Sequence, residues 1–191
     1  MKKTPLLLSA VCLVGLTISA AAQGTAGAFQ VSKITQKLIT TPQYSYNGAE
    51  QYQANQRDPW LEVEVEFTAT AEFSDDVTFK YFVLLNGKVL TGEVTHTSIA
   101  AGRGLRSVIY VSPKVLARFN GNRPIAANTI QNIAVQIVQQ GAVKDEASLT
   151  RAAAQWYTAL PQIPGFLLNK NETPFAPLYW DRYEQIKPAG R

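Results

Sequence analysis

The sequence predicts an all-β protein: a two-sheet antiparallel β-sandwich of about seven strands, one short C-terminal helix, and an extended tail rich in aromatic residues and proline. Three observations carry that prediction. Apolar and polar residues alternate from Trp60 to Ala69, Asn86-Gly87 separates two apolar runs, and turn residues recur between short β-rich segments up to about residue 150.

The chain opens with Met1-Lys2-Lys3, continues with an apolar run from Pro5 to Ile18, and reaches Ser19 and Ala20 to Ala22. This is the charged, apolar and small-residue order of a secretory signal peptide, read as residues 1–22 with Gln23 first in the mature chain. The run falls short of the roughly 20 residues a membrane-spanning helix needs, and no later stretch competes, so no transmembrane segment is expected after cleavage. The short Lys-Lys start has a bacterial look. The expected location is therefore outside the cytoplasm, in the periplasm, on the cell surface or secreted.

The only cysteine, Cys12, lies in the apolar run, preceded by Val11 where a lipid-modified cysteine would need a small residue. A mature chain without cysteine has no thiol catalysis, thiolate metal site or disulfide. Loss of Lys2 and Lys3 lowers the formal net charge from +4 to +2. With no basic run and no zinc-finger spacing, nucleic acid is not expected as a partner.

Residues 23–27 read as a flexible leader and 28–160 as the sandwich domain. A first strand fits Ala28 to Thr40, and the polar stretch Thr41 to Pro59 reads as a long loop carrying Tyr44, Tyr46 and Tyr52. From Trp60, Leu61, Val63, Val65 and Phe67 alternate with Glu62, Glu64 and Glu66, as in a strand with one buried and one wet face. Ser74-Asp75-Asp76 reads as a turn.

Val77 to Leu85 and Lys88 to Ser98 then form a hairpin around Asn86-Gly87, the dipeptide that accepts the positive φ angles of a type I′ turn. A two-residue loop fixes the register. Leu85 faces Lys88, Val83 faces Leu90, Tyr81 faces Gly92, Lys80 faces Glu93 and Phe79 faces Val94. Each match is worth a few tenths to about 1 kcal/mol, and a slip by one residue loses them all.

Gly102 to Gly104 read as a turn before a strand at Leu105 to Val111, and Ser112-Pro113 opens a helical turn through Phe119. Ile130 to Gln140 and Val143 to Leu149 are two further strands, and the alanine-rich Arg151 to Leu160 reads as the short helix, stopped by Pro161. The remaining residues, 161–191, form the tail, expected to pack on the domain through Phe166, Phe175, Tyr179, Trp180 and Tyr183. In size and strand count the whole is immunoglobulin-like, without the Cys, Trp, Cys pattern of antibody domains.

No catalytic, metal-binding or cofactor-binding constellation emerges. Glu62, Glu64 and Glu66 share one strand face and read as a solvated surface with basic side chains on a neighbouring strand. Asp75-Asp76 reads as a turn in preference to a calcium site. His96, the only histidine, shares the face of Phe79 and Val94 and reads as a partly buried structural residue. Asn171-Glu172-Thr173 matches a glycosylation sequon that a bacterial host would leave silent.

The candidate interaction surface is aromatic: Tyr44, Tyr46 and Tyr52 in the loop, Tyr179 and Trp180 in the tail. Three functions follow from different classes. The first is a non-enzymatic module binding a protein partner of the envelope or cell surface, or a second copy of the chain. The second is a carbohydrate-binding module, which needs exposed aromatics on one face. The third is a hydrolase, which needs Glu62, Glu64, Glu66, Asp75 or Asp76 to converge in a cleft.

The segments Trp60 to Phe67 (WLEVEVEF) and Phe79 to Gly87 (FKYFVLLNG), together with the signal peptide, resemble secreted bacterial immunoglobulin-like proteins of the type IV pilus-associated kind, over residues 28–150. A true pilin keeps a long apolar N-terminal helix that this chain lacks. The resemblance therefore implies an accessory or adhesive surface role rather than the filament core.

Overall fold

The computed structural model describes residues 27–45, 47–48 and 57–188. The expected signal peptide, most of the expected leader, and Tyr46 and Tyr52 lie outside the described residues. Among the described residues nine strands form two sheets. One sheet runs in the order β1 (Phe29–Ile39), β2 (Trp60–Ser74), β5 (Ile99–Val111), β9 (Leu167–Asn169). The other runs β7 (Ala142–Ser148), β6 (Ile130–Gln139), β3 (Val77–Leu85), β4 (Lys88–His96), β8 (Gln162–Pro164). Every pairing is antiparallel except β4 with β8.

The first seven strands alone give β1-β2-β5 facing β7-β6-β3-β4, an immunoglobulin-like sandwich whose fourth strand pairs with the third. The place beside β5 that the fourth strand would otherwise occupy is filled by β9, from the C-terminal segment.

Alternation places the core. Leu61, Val63, Val65 and Phe67 of β2 meet Phe79, Tyr81, Val83 and Leu85 of β3, with Ile109, Ile133, Val135 and Ile137, in one buried cluster between the sheets. The hairpin register runs from Leu85 opposite Lys88 to Phe79 opposite Val94, as its two-residue loop requires. Asn86 and Gly87 both take positive φ, 50° and 74°.

Two expectations are corrected. Gly102 to Gly104 do not separate two strands: β5 is continuous from Ile99, and its glycines lie where the pairing with β2 slips register. Glycine here marks an irregularity that keeps the strand going. Among the described residues the single α-helix is α1, Pro113–Phe119, at the expected helical turn, where the Ser112 side chain accepts from the Val115 N–H and proline stands in the first turn. The helix expected at Arg151–Leu160 is only a 3₁₀ turn at Trp156–Ala159. Alanine propensity over so few residues is marginal alone. Gln155 adopts a left-handed φ of 51°, and Tyr157 instead stacks on Phe82, with ring centroids 3.7 Å apart.

The segment after Pro161 is part of the fold. It adds β8 to one sheet and β9 to the other, crosses the outer face of the first sheet, and returns along β4. There the Thr97 N–H donates to the Gln185 carbonyl and the Lys187 N–H to the Thr95 carbonyl.

Candidate functional site

The outer face of the first sheet is where charge and aromatic side chains gather. Alternation on β2 sends Glu62, Glu64 and Glu66 outward. The ladder sets Lys37 of β1 opposite Glu62, and on β5 it sets Tyr110 opposite Glu62 and Arg106 opposite Glu66. Over this face lies the C-terminal segment. Phe175 stacks on Tyr110 at 4.8 Å and meets Trp60 edge-on at 5.6 Å, within a second apolar cluster that includes Val108, Leu178 and Tyr183.

The expectation of a solvated carboxylate row is therefore corrected. Glu62 and Glu64 are only 7% and 8% exposed. Arg182 donates to Glu64 through Nε at 2.9 Å and through Nη2 at 2.9 and 2.7 Å, and the Tyr183 hydroxyl donates to Glu64 Oε2 at 3.0 Å. Arg106 lies 3.7 Å from Glu64 and 3.4 Å from Glu66. Basic groups do stand on the neighbouring strands, but the residue that takes up Glu64 is 118 positions away, beyond the reach of a local pattern.

Glu62 accepts from the Tyr110 hydroxyl at 3.2 Å. Burial pushes its pKa above the ordinary carboxylate value, with the Tyr110 hydrogen bond pulling the other way. It lies in the wall of a recess of about 410 Å³, together with Lys37, Pro42, Leu178, Tyr179 and Arg182. A larger open groove, about 690 Å³, lies on the second sheet beside Phe82 and Tyr157.

The carboxylates considered for hydrolysis do not converge. Glu64 is held by Arg182, Asp76 pairs with Lys187, and Asp75 accepts from the Thr97 hydroxyl and the Ser98 N–H at 2.7 and 2.6 Å. Only Glu62 among them lines the recess. Among the described residues no group of three or more His, Cys, Asp and Glu side chains is placed to hold a metal ion.

His96 is buried more deeply than its place in the hairpin implied. It is 1% exposed, edge-on to Phe79 at 5.4 Å. Nδ1 lies 3.0 Å from the Glu184 carbonyl, which can only accept, so Nδ1 carries the proton. Nε2 then accepts from the Ser107 hydroxyl at 2.7 Å, and Ser107 accepts in turn from the Tyr81 hydroxyl at 2.7 Å. Burial lowers the His96 pKa to about 4. Ser107 and Tyr81 are fully buried, so this chain of hydrogen bonds lies inside the core.

Of the aromatic candidates, Tyr44 is half-buried and donates to the Pro174 carbonyl at 2.5 Å. Tyr179 is 55% and Trp180 81% exposed. The structure thus ties the segment of Tyr44 to the tail beside the Tyr179-Trp180 turn. Sequence reasoning did not single out Lys37, Tyr110 or Arg182. Lys37 and Tyr110 become visible once the β1-β2 and β2-β5 registers are known, whereas nothing local signals Arg182. The sequon lies on a 3₁₀ turn whose Thr173 hydroxyl is buried and donates to the Lys170 carbonyl.

No curated protein matches the chain. A crystal structure of a protein from Akkermansia muciniphila superposes with a TM-score of 0.71 at 19% identity, covering 85% of this chain and 94% of that one, and so shares the fold. One protein-family model matches residues 20–189, almost the whole length, and the chain therefore belongs to the family that model describes.

Proposed function

We propose that this protein is an exported, non-enzymatic interaction module of the bacterial cell surface, pilus-associated, that binds a protein partner through its Tyr179-Trp180 turn. Family membership and a fold shared with a pilus-associated protein of Akkermansia support the setting. The observation that carries the binding role is the turn itself. Trp180 leaves most of a large apolar ring in water, and Tyr179 holds a left-handed φ of 53°, unfavourable for an aromatic residue. The turn is nevertheless well anchored. The Arg182 N–H donates to the Tyr179 carbonyl at 3.2 Å, and the Arg182 side chain grips Glu64. An exposed indole on an anchored turn suits an interface anchor, because tryptophan contributes large contact area with only two side-chain torsions to fix.

Site-specific photo-crosslinking from position 180 in the native organism, with mass spectrometric identification, tests this. A pilus or envelope protein should be recovered, and Trp180→Ala protein should lose that partner in a binding assay with purified components. Equal binding by Trp180→Ala, or crosslinks to no envelope protein, would refute the reading.

A further inference from the structure

The recess beside the turn has a chemistry of its own. Its lining combines the aromatic and aliphatic side chains of Phe175, Leu178 and Tyr179 with Lys37, Pro42 and Glu62. At about 410 Å³ it lies within the size range of small-ligand sites, roughly 300–1,000 Å³.

Its charges balance. Lys37 stands opposite Glu62 across the β1-β2 ladder, and the Arg182 guanidinium is occupied by Glu64. A free anion would meet the Glu62 carboxylate, and a cation would meet Lys37 and Arg182. A purely apolar ligand would cover the exposed Lys37 ammonium and the acceptor positions that the Tyr110 hydroxyl leaves open on Glu62 without offering either a partner. What remains is a neutral molecule with hydroxyls on its edge, to donate to Glu62 and accept from Lys37, and an apolar face to lie on Tyr179.

We infer that this recess binds a neutral pyranose sugar, with Tyr179 as its stacking platform, Glu62 as hydrogen-bond acceptor and Lys37 as donor. The site adjoins the proposed protein contact and shares Tyr179 with it, but Trp180, the anchor of that contact, is not among the residues lining the recess. A protein that meets its partner through Trp180 would thus carry a sugar site next to that contact.

The test uses the mature chain, residues 23–191, titrated with galactose, mannose, fucose and N-acetylglucosamine and followed by saturation-transfer NMR and calorimetry. At least one of these sugars should bind with a millimolar dissociation constant. Tyr179→Asn, chosen because asparagine tolerates a left-handed backbone, should weaken binding about tenfold, and Tyr179→Phe should keep it. Trp180→Ala should leave it unchanged, which separates this site from the protein contact. Absence of binding by all four sugars at 50-fold above the millimolar range would overturn the inference. So would undiminished binding by folded Tyr179→Asn protein. Tighter binding of cationic glucosamine than of N-acetylglucosamine would also overturn it, by making the site one for amines.

Discussion

Acidification should destabilise this protein through His96, by an amount that follows from its surroundings. In the unfolded chain the imidazole titrates near 6.5; in the fold, burial holds it down to about 4. Between these values the unfolded state takes up a proton that the folded state refuses, so the stability present above pH 6.5 is lost as the pH falls toward 4. A difference of 2.5 pH units corresponds to roughly 3 kcal/mol, about 2 of which should be gone by pH 5. Other groups titrate in the same window. Burial raises Glu62 and Glu184, which gain stability on acidification, whereas hydrogen bonds lower Asp75, which loses it. The informative quantity is therefore the difference between the wild type and His96→Gln. Urea unfolding followed by tryptophan fluorescence at pH 7, 6, 5 and 4 measures it, on protein without a histidine tag. The stability gap between the two proteins should narrow steadily on acidification. A constant gap would refute the reasoning, as would a His96 imidazole titrating near 6.5 in the NMR spectrum of the folded state.

Three further outcomes follow from packing and pairing. Phe175→Ala removes a buried ring stacked on Tyr110 and edge-on to Trp60, and should cost about 3–4 kcal/mol in urea unfolding; a loss below 1 kcal/mol would mean that the C-terminal segment is not integral to the fold. Gly92→Ala places a methyl 2.5 Å from the Leu167 Cβ, so β9 must shift, and the unfolding free energy should fall by about 1–3 kcal/mol; an unchanged midpoint would contradict the close approach of β4 and β9. Glu64→Gln breaks the carboxylate's pairing with Arg182, which is partly exposed, so the loss should be about 1–2 kcal/mol; proteolysis should then cut the segment around Arg182 faster, and equal cleavage rates would count against the clamp.

Much of this architecture is local in origin and legible without coordinates. The hairpin is the strongest case, because Asn86-Gly87 dictates a two-residue turn, the turn dictates the register, and the register seats Tyr81 over Gly92 and Phe79 beside Val94. The period-two pattern of β2 likewise told which residues form the core. By itself the sequence determined that there are two half-buried faces to be closed against each other, that the described fold is strand on strand, and that the tail is rich in aromatics.

Only the tertiary structure decided what covers the outer faces. Period two separates inward from outward side chains, but it cannot say whether the outward side meets water or another segment. Glu62 and Glu64 looked wet because their neighbours in sequence say so, and they are buried because Phe175, Arg182 and Tyr183 lie over them. The strands β8 and β9, three residues each, are too short to leave a periodic signal, and they form because β4 and β5 offer unpaired edges. Burial of His96 has the same origin: residues 184–187 close over the end of β4 and supply its carbonyl acceptor. The recess at Glu62 exists only where β1, β2 and the returning chain meet, an arrangement fixed by long-range packing and therefore absent from any window of the sequence.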